Sequence, residues 1–102
     1  MEPRTEIYNG TGALGVAQAV AAKIVPAGAR VVRTDNVDGF GVQQTQIVYY
    51  QDSWRSTAAA LVGAMGCGSL RKARPDQDLG IADVTVIVGS DCPAYANPGG
   101  AT

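Results

Sequence analysis

The connector between Asp35 and the strand-like run 45–50 constrains this chain more than any other feature. It consists of residues 36–44, Asn-Val-Asp-Gly-Phe-Gly-Val-Gln-Gln. Its glycines and its lack of a helical apolar period mark it as a loop. A parallel return to a neighbouring strand needs a crossover of roughly a dozen residues or more, usually a helix. The third strand is therefore expected to run antiparallel to the second.

That expectation decides how the glycine-rich turn upstream is read. Gly10, Gly12 and Gly15 spell G-x-G-x-x-G between a short apolar run (Ile7, Tyr8) and an alanine-rich segment, and Asp35 follows a second strand-like run. A dinucleotide-binding fold places its phosphate turn and ribose-binding acid in this order. Such a fold is built on a parallel sheet, and the connector after Asp35 does not allow one. A structural role suffices for the turn. Glycine permits positive φ and close chain approach where a strand bends into a helix. Asn9 can bond the turn's own amides, and Thr11 can cap the helix. Gly10, Gly12 and Gly15 are then architectural. Nucleotide or anion binding at the helix N-terminus is the alternative. Asn9-Gly10-Thr11 is formally a glycosylation sequon, to which no role is given.

The apolar periods predict the remaining elements. Residues 5–8 read as a strand. Over 13–25, Ala13, Ala17, Val20, Ala21 and Ile24 recur at helical spacing, and Pro26-Ala27-Gly28 stops the helix. Residues 30–34 form the second strand. In the third, Ile47 and Tyr49 share one face, and Val48 and Tyr50 the other. Asp52 or Ser53 can cap a second helix, whose buried stripe is Trp54, Ala58, Leu61, Val62 and Met65; Gly66 ends it. Leu70 lies in a short strand, 71–82 is a polar loop, and 83–89 is the last strong strand, with Val84, Val86 and Val88 on one face. The domain is taken as 5–92, with 93–102 a disordered Gly/Pro/Ala tail.

The order β-α-β-β-α-(β)-β predicts an α/β (α+β) sandwich of split β-α-β type. Its mixed or antiparallel sheet would carry both helices on one face. Val48, Tyr50, Thr85 and Ile87 would then face away from the helices. We take Val48, Tyr50 and Ile87 as a candidate ligand or partner surface, with Tyr50 and Ile87 adjacent and partly exposed; an ordinary half-exposed sheet face is the plainer reading.

Chemistry is narrowed by what is missing. The 102 residues include no histidine, which removes Ser-His and Cys-His nucleophile pairs and histidine metal sites together. Two cysteines cannot form a cysteine-only zinc site. No catalytic residue, cofactor or metal is assigned, and the chain is not expected to be an enzyme. A net charge of −1 supplies no basic footprint for nucleic acid or anionic lipid. No apolar run is long enough to cross a bilayer, and the start Met-Glu-Pro-Arg is no signal peptide. The natural protein is expected to continue upstream of Met1.

Three segments together resemble the LytR C-terminal domain family: Tyr8-Asn9-Gly10-Thr11-Gly12 with Gly15, Gln46-Ile47-Val48-Tyr49-Tyr50, and Ala82-Asp83-Val84-Thr85-Val86-Ile87-Val88-Gly89-Ser90-Asp91. The likeness covers roughly positions 5 to 91 in order. It implies an accessory domain outside the cytoplasmic membrane of Gram-positive bacteria, notably actinobacteria, following a membrane anchor or a LytR-CpsA-Psr transferase domain. That transferase's arginine- and aspartate-rich site has no counterpart here. The expected function is a non-catalytic cell-envelope module that binds or positions cell-wall material, or docks a partner. The expected partners are a cell-wall glycan or glycopolymer or an envelope protein, with membrane contact only through an anchor outside this chain. A purely structural or dimerising domain is the third possibility.

Cys67 follows the second helix and Cys92 the last strand. If the strand around Leu70 pairs antiparallel with 86–89, with Leu70 opposite Gly89, Cys67 faces Cys92. Free buried thiols are the alternative. In an exported domain the pair is expected to form a disulfide.

Overall fold

The computed structural model describes residues 2–78 and 80–92. The expected tail, 93–102, lies outside the described residues. Among these, the chain forms β1 (Arg4–Asn9), α1 (Val16–Ile24), β2 (Arg30–Asn36), β3 (Gln46–Tyr49), α2 (Arg55–Met65), β4 (Ser69–Lys72) and β5 (Val84–Val88). Short 3-10 turns precede α2 (Asp52–Trp54) and follow β4 (Pro75–Gln77). The strands make one five-stranded mixed sheet in the order β2-β1-β5-β3-β4.

Strand alternation explains the single core. Ile7, Ile47, Tyr49, Val84, Val86 and Val88 point to one side of the sheet and cluster with Val16, Val20 and Ile24 of α1 and Ala58, Leu61 and Met65 of α2. Both helices therefore cover the same face, and Trp54 packs against that cluster as its spacing predicts.

The pairing departs from the sequence reading in two places. β2 runs opposite to β3, but the two are not neighbours, because β1 and β5 lie between them. The 36–44 connector is no hairpin; it crosses the ends of both intervening strands. β4 does not pair with β5. It pairs parallel with β3, placing Leu70 opposite Ile47 rather than Gly89. β3 is itself antiparallel to β5, so the start of β4 and the end of β5 still share one end of the sheet. Cys67 and Cys92 meet there, with Cα atoms 5.9 Å apart and their sulfurs bonded.

The helix boundaries also move. α1 starts at Val16, after Gly12 at φ +82° and Gly15 at φ +79°. These left-handed residues interrupt the helical path that the period alone extends back to Ala13. Thr11 does not cap α1: its hydroxyl accepts the Ala13 amide within the turn.

At the opposite end of the sheet, Arg4 of β1 is clamped to Asp83. Its amide donates to Asp83 Oδ2 at 2.8 Å, and its guanidinium to Oδ1 at 3.1 Å. Burial pushes the Asp83 pKa up, but the hydrogen bonds and charge of Arg4 outweigh it and hold the carboxyl below its ordinary value. A carboxyl depressed by folding stabilises the protein above its unfolded pKa, about 3.9, and loses that contribution as pH falls through the folded value. Asp83→Asn is therefore expected to be less stable than the parent in urea melts at pH 7. The gap should close in melts run well below pH 4; a gap unchanged by acid would contradict the clamp.

Candidate functional site

The C-terminal ends of parallel strands are where open α/β sheets bind ligands. Here the protein's own connector covers the β1–β5 part of that end, and a hollow of about 250 Å³ remains beside it, lined by Asn9, Leu14, Gly15 and residues 34–36. Val42 takes the Gly10 carbonyl at 3.0 Å and receives the Ser90 amide at 3.0 Å, and Gly10 donates to Val88 at 2.9 Å. The Phe40 ring lies against Gly12. Asn9 behaves as the sequence predicts: its Oδ1 accepts the Thr11 amide and hydroxyl, and its Nδ2 donates to the Ala13 carbonyl. The turn amides of Gly10, Thr11 and Ala13 are thus satisfied internally. Asp35, placed as a ribose acid would be, is held by Arg33 at 2.9 Å and by the Asn36 amide at 2.8 Å. The Asn36 amide and the Arg33 side chain also lower its pKa. In this arrangement Asn9, Gly10, Thr11, Gly12 and Gly15 build a strand-to-helix turn under a crossing loop.

The other candidate surface lies on the sheet face away from the helices. Residues paired across neighbouring strands share a face. The registers align Arg33, Glu6, Thr85, Val48 and Arg71 in one row across the whole sheet. A second row runs Asp35, Tyr8, Ile87, Gln46 and Ser69. Tyr50, immediately after β3, stands beside them.

A polar network fixes the centre of this face. Glu6, only 7% exposed, accepts the Tyr8 hydroxyl on one carboxylate oxygen and the Thr85 hydroxyl on the other, each at 3.2 Å. Because the Thr85 proton goes to Glu6, Tyr50 donates to Thr85 at 2.5 Å. Arg33 reaches Glu6 at 3.8 Å and lies over the Tyr8 ring. Burial, then the neighbouring Glu6 charge, raises the Tyr8 pKa above its ordinary value.

Above the network is a groove of about 460 Å³, within the size range of ligand sites. Its floor is Val48, Thr85 and Ile87, flanked by Tyr8 and Tyr50; Asn36, Val37 and Asp38 wall one end and Gln77 and Arg71 the other. A smaller hollow of about 140 Å³ adjoins it and shares Tyr8, Tyr50 and Gln77. Val48, Tyr50 and Ile87 line one groove, with Tyr50 and Ile87 half-buried and Val48 almost fully buried on its floor. Tyr50 and Ile87 are not adjacent as expected: the register sets Ile87 opposite Gln46 and Tyr50 beside Asp83, so the Val48–Thr85 pair lies between them.

A family model described as LytR cell envelope-related transcriptional attenuator matches residues 2–91. The chain belongs to the LytR C-terminal domain family. Among solved structures, the C-terminal domain of RV0431, determined in solution, is similar at a TM-score of 0.60 and 25% identity, over 86% of this chain and 72% of that one. The crystal structure of the soluble domain of a conserved hypothetical secreted protein from Mycobacterium marinum, an Rv2700 ortholog, gives 0.52 and 20%, over 99% and 76%. That second likeness speaks for the fold alone. None of the curated proteins matches.

Several groove residues of this LytR C-terminal domain escape a reading by elements. Glu6 and Tyr8 were legible as the partners of Ile7 across the β1 alternation, but a charged residue inside a short strand gives no sign of being buried. Arg71, placed by the sequence reading in a polar loop, is the open-face neighbour of Leu70 in β4. Asn36, Asp38 and Gln77 come from connections whose paths no local period encodes.

Proposed function

We propose that this domain is a non-catalytic extracytoplasmic module that binds cell-wall saccharide in the open-face groove. The observation that carries this reading is the pairing of Tyr8 and Tyr50 with an apolar floor and convergent polar side chains in one concave surface. Tyrosine offers broad amphipathic area with few rotatable bonds, and the network through Glu6 and Thr85 holds both hydroxyls in place before any ligand arrives. The cell-envelope description of the family supports both the material and the compartment. A disulfide fits an oxidising environment. No helix among the described residues is long and apolar enough to cross a membrane, and we place the anchor upstream of this chain.

Catalysis is disfavoured because the chain has no histidine, the buried carboxylate beside the groove, Glu6, is tied by two hydroxyls, and Asp38 is the one carboxylate among the groove's described lining residues. Self-association through the sheet edges is disfavoured by charge, since β2 carries Arg30, Arg33 and Asp35 and β4 carries Arg71 and Lys72.

Sedimentation with purified cell-wall material tests the proposal. The parent domain is expected in the pellet. Tyr50→Ala is expected to keep the far-ultraviolet spectrum, lose about 1–2 kcal/mol of stability for its half-buried ring, and fall largely into the supernatant. Retention equal to the parent would remove the groove from consideration. Global unfolding of Tyr50→Ala would make Tyr50 a core residue, and Tyr50→Phe, which deletes only the hydroxyl, would then serve as the binding variant.

A further inference from the structure

We propose that the saccharide bound in the groove carries a carboxylate, read by Arg71 at the β4 end. The inference rests on the groove reading above and assigns its ligand a charge and a direction.

Two arginines stand at opposite ends of the same cross-sheet row. Arg33 is neutralised: Asp35 lies 2.9 Å from it and Glu6 3.8 Å. Arg71 is not. Its Nε donates to Gln46 Oε1 at 3.1 Å, and among the described residues no carboxylate lies within ion-pair distance. Gln46 fixes the guanidinium through that single bond and leaves the edge formed by the two terminal nitrogens without a partner in the described protein. Such an edge is the fork that takes a planar carboxylate in two parallel hydrogen bonds. Arg71 is half-buried and borders Val48 and Tyr50 on the groove wall, so its charge is less screened there than on an open surface.

The opposite end has the reverse sign. Asp38 lines the groove beside Asn36, and Asp35 stands at the end of β2. Four inter-strand spacings separate β2 from β4, roughly 19 Å at the usual strand separation. A chain of sugar rings laid across the sheet would therefore be oriented, with its anionic group toward β4. Charge count favours a sparse anion over a polyphosphate. Lys72 is engaged with Asp52 and Arg33 is neutralised, which leaves Arg71 as the one unpaired cation among the described groove residues, with Asp38 at the far end.

Binding of two soluble tetrasaccharides, measured by calorimetry, tests the assignment. The probes are a hyaluronan tetrasaccharide, which carries carboxylates, and tetra-N-acetylchitotetraose, which is neutral. The parent is expected to prefer hyaluronan by about tenfold, as one charge-assisted contact allows. Arg71→Gln should abolish that preference, lowering hyaluronan affinity about tenfold more than that for tetra-N-acetylchitotetraose; Arg71→Lys should restore part of it. Equal affinity of the parent for both probes would overturn the carboxylate assignment and leave the groove standing. So would a preference that survives in Arg71→Gln, or tighter binding of glucose 1-phosphate than of glucuronate. If neither tetrasaccharide binds but the parent still sediments with cell wall, the assignment fails alone. If sedimentation is lost as well, the groove reading fails with it.

Discussion

In reducing buffer the domain is expected to melt about 15–25 °C lower than in its oxidised form. Cys67 and Cys92 are 25 residues apart. Closing a loop of that length removes about 3.5 kcal/mol of chain entropy from the unfolded state, and for a domain of this size each kcal/mol moves the midpoint by roughly 4–8 °C. The location argues against a smaller effect. Cys92 is fully buried in the core cluster, and Cys67 leads directly into β4. That edge strand is hydrogen-bonded to β3 alone. Without the bridge, β4 is held by its own short ladder, by Leu70, and by the side-chain bonds of Arg71 to Gln46 and Lys72 to Asp52. The measurement is a pair of thermal melts with and without reductant, together with the Cys67→Ala, Cys92→Ala double variant, which should match the reduced protein. Thiol titration of the unfolded, unreduced protein should find no free thiol. Two reactive thiols in protein purified under oxidising conditions would refute the bridge.

Gly10→Ala should be the most damaging single substitution in the glycine turn, by about 3 kcal/mol or more. A Cβ at Gly10 would sit 2.5 Å from Val42 Cβ and Cγ2 and 2.6 Å from the Val88 carbonyl oxygen. Neither neighbour can retreat cheaply, because Val42 and Val88 are both hydrogen-bonded to Gly10 itself. Gly12 is a different case. Its Cβ would meet the Phe40 ring at an ordinary 3.4 Å, and the strain comes from φ +82°, worth about 1 kcal/mol. Urea melts should therefore rank the parent above Gly12→Ala, and Gly12→Ala above Gly10→Ala. The reverse ranking would mean that the crossing loop is not packed on the turn as described.

The faces of the sheet were readable because strands encode them locally. Val84, Val86 and Val88 alternate with Thr85 and Ile87, and Ile47 and Tyr49 with Val48 and Tyr50, so each set could be assigned to a side without knowing any neighbour. Strand order was not readable. Nothing in the composition of 36–44 says that it passes over β1 and β5, and nothing in Leu70 distinguishes β3 from β5 as a partner. The meeting of Cys67 and Cys92 survived the wrong pairing of β4 because only the direction of that strand mattered. Arg71 shows the reverse: misplaced in a loop, its free guanidinium had no groove to belong to. Asp35 took the place of a ribose acid for a local reason, since β1-α1-β2 is a true parallel unit, while the antiparallel β3 lies beyond β5.

The position of β5 has a consequence for how the molecule comes into being. The last strand in the sequence is the central strand of the sheet, parallel to β1 on one side and antiparallel to β3 on the other. Until residues 84–88 have emerged from the ribosome, the β1–β2 and β3–β4 pairs have no ladder joining them, and Ile7 and Ile47 have no Val86 between them. Folding of the sheet therefore waits for residues 84–88 and closes contacts between segments far apart in sequence, an arrangement that slows folding. A chain emerging from its N-terminus stays open until then, with Cys67 already exposed and its partner still to come.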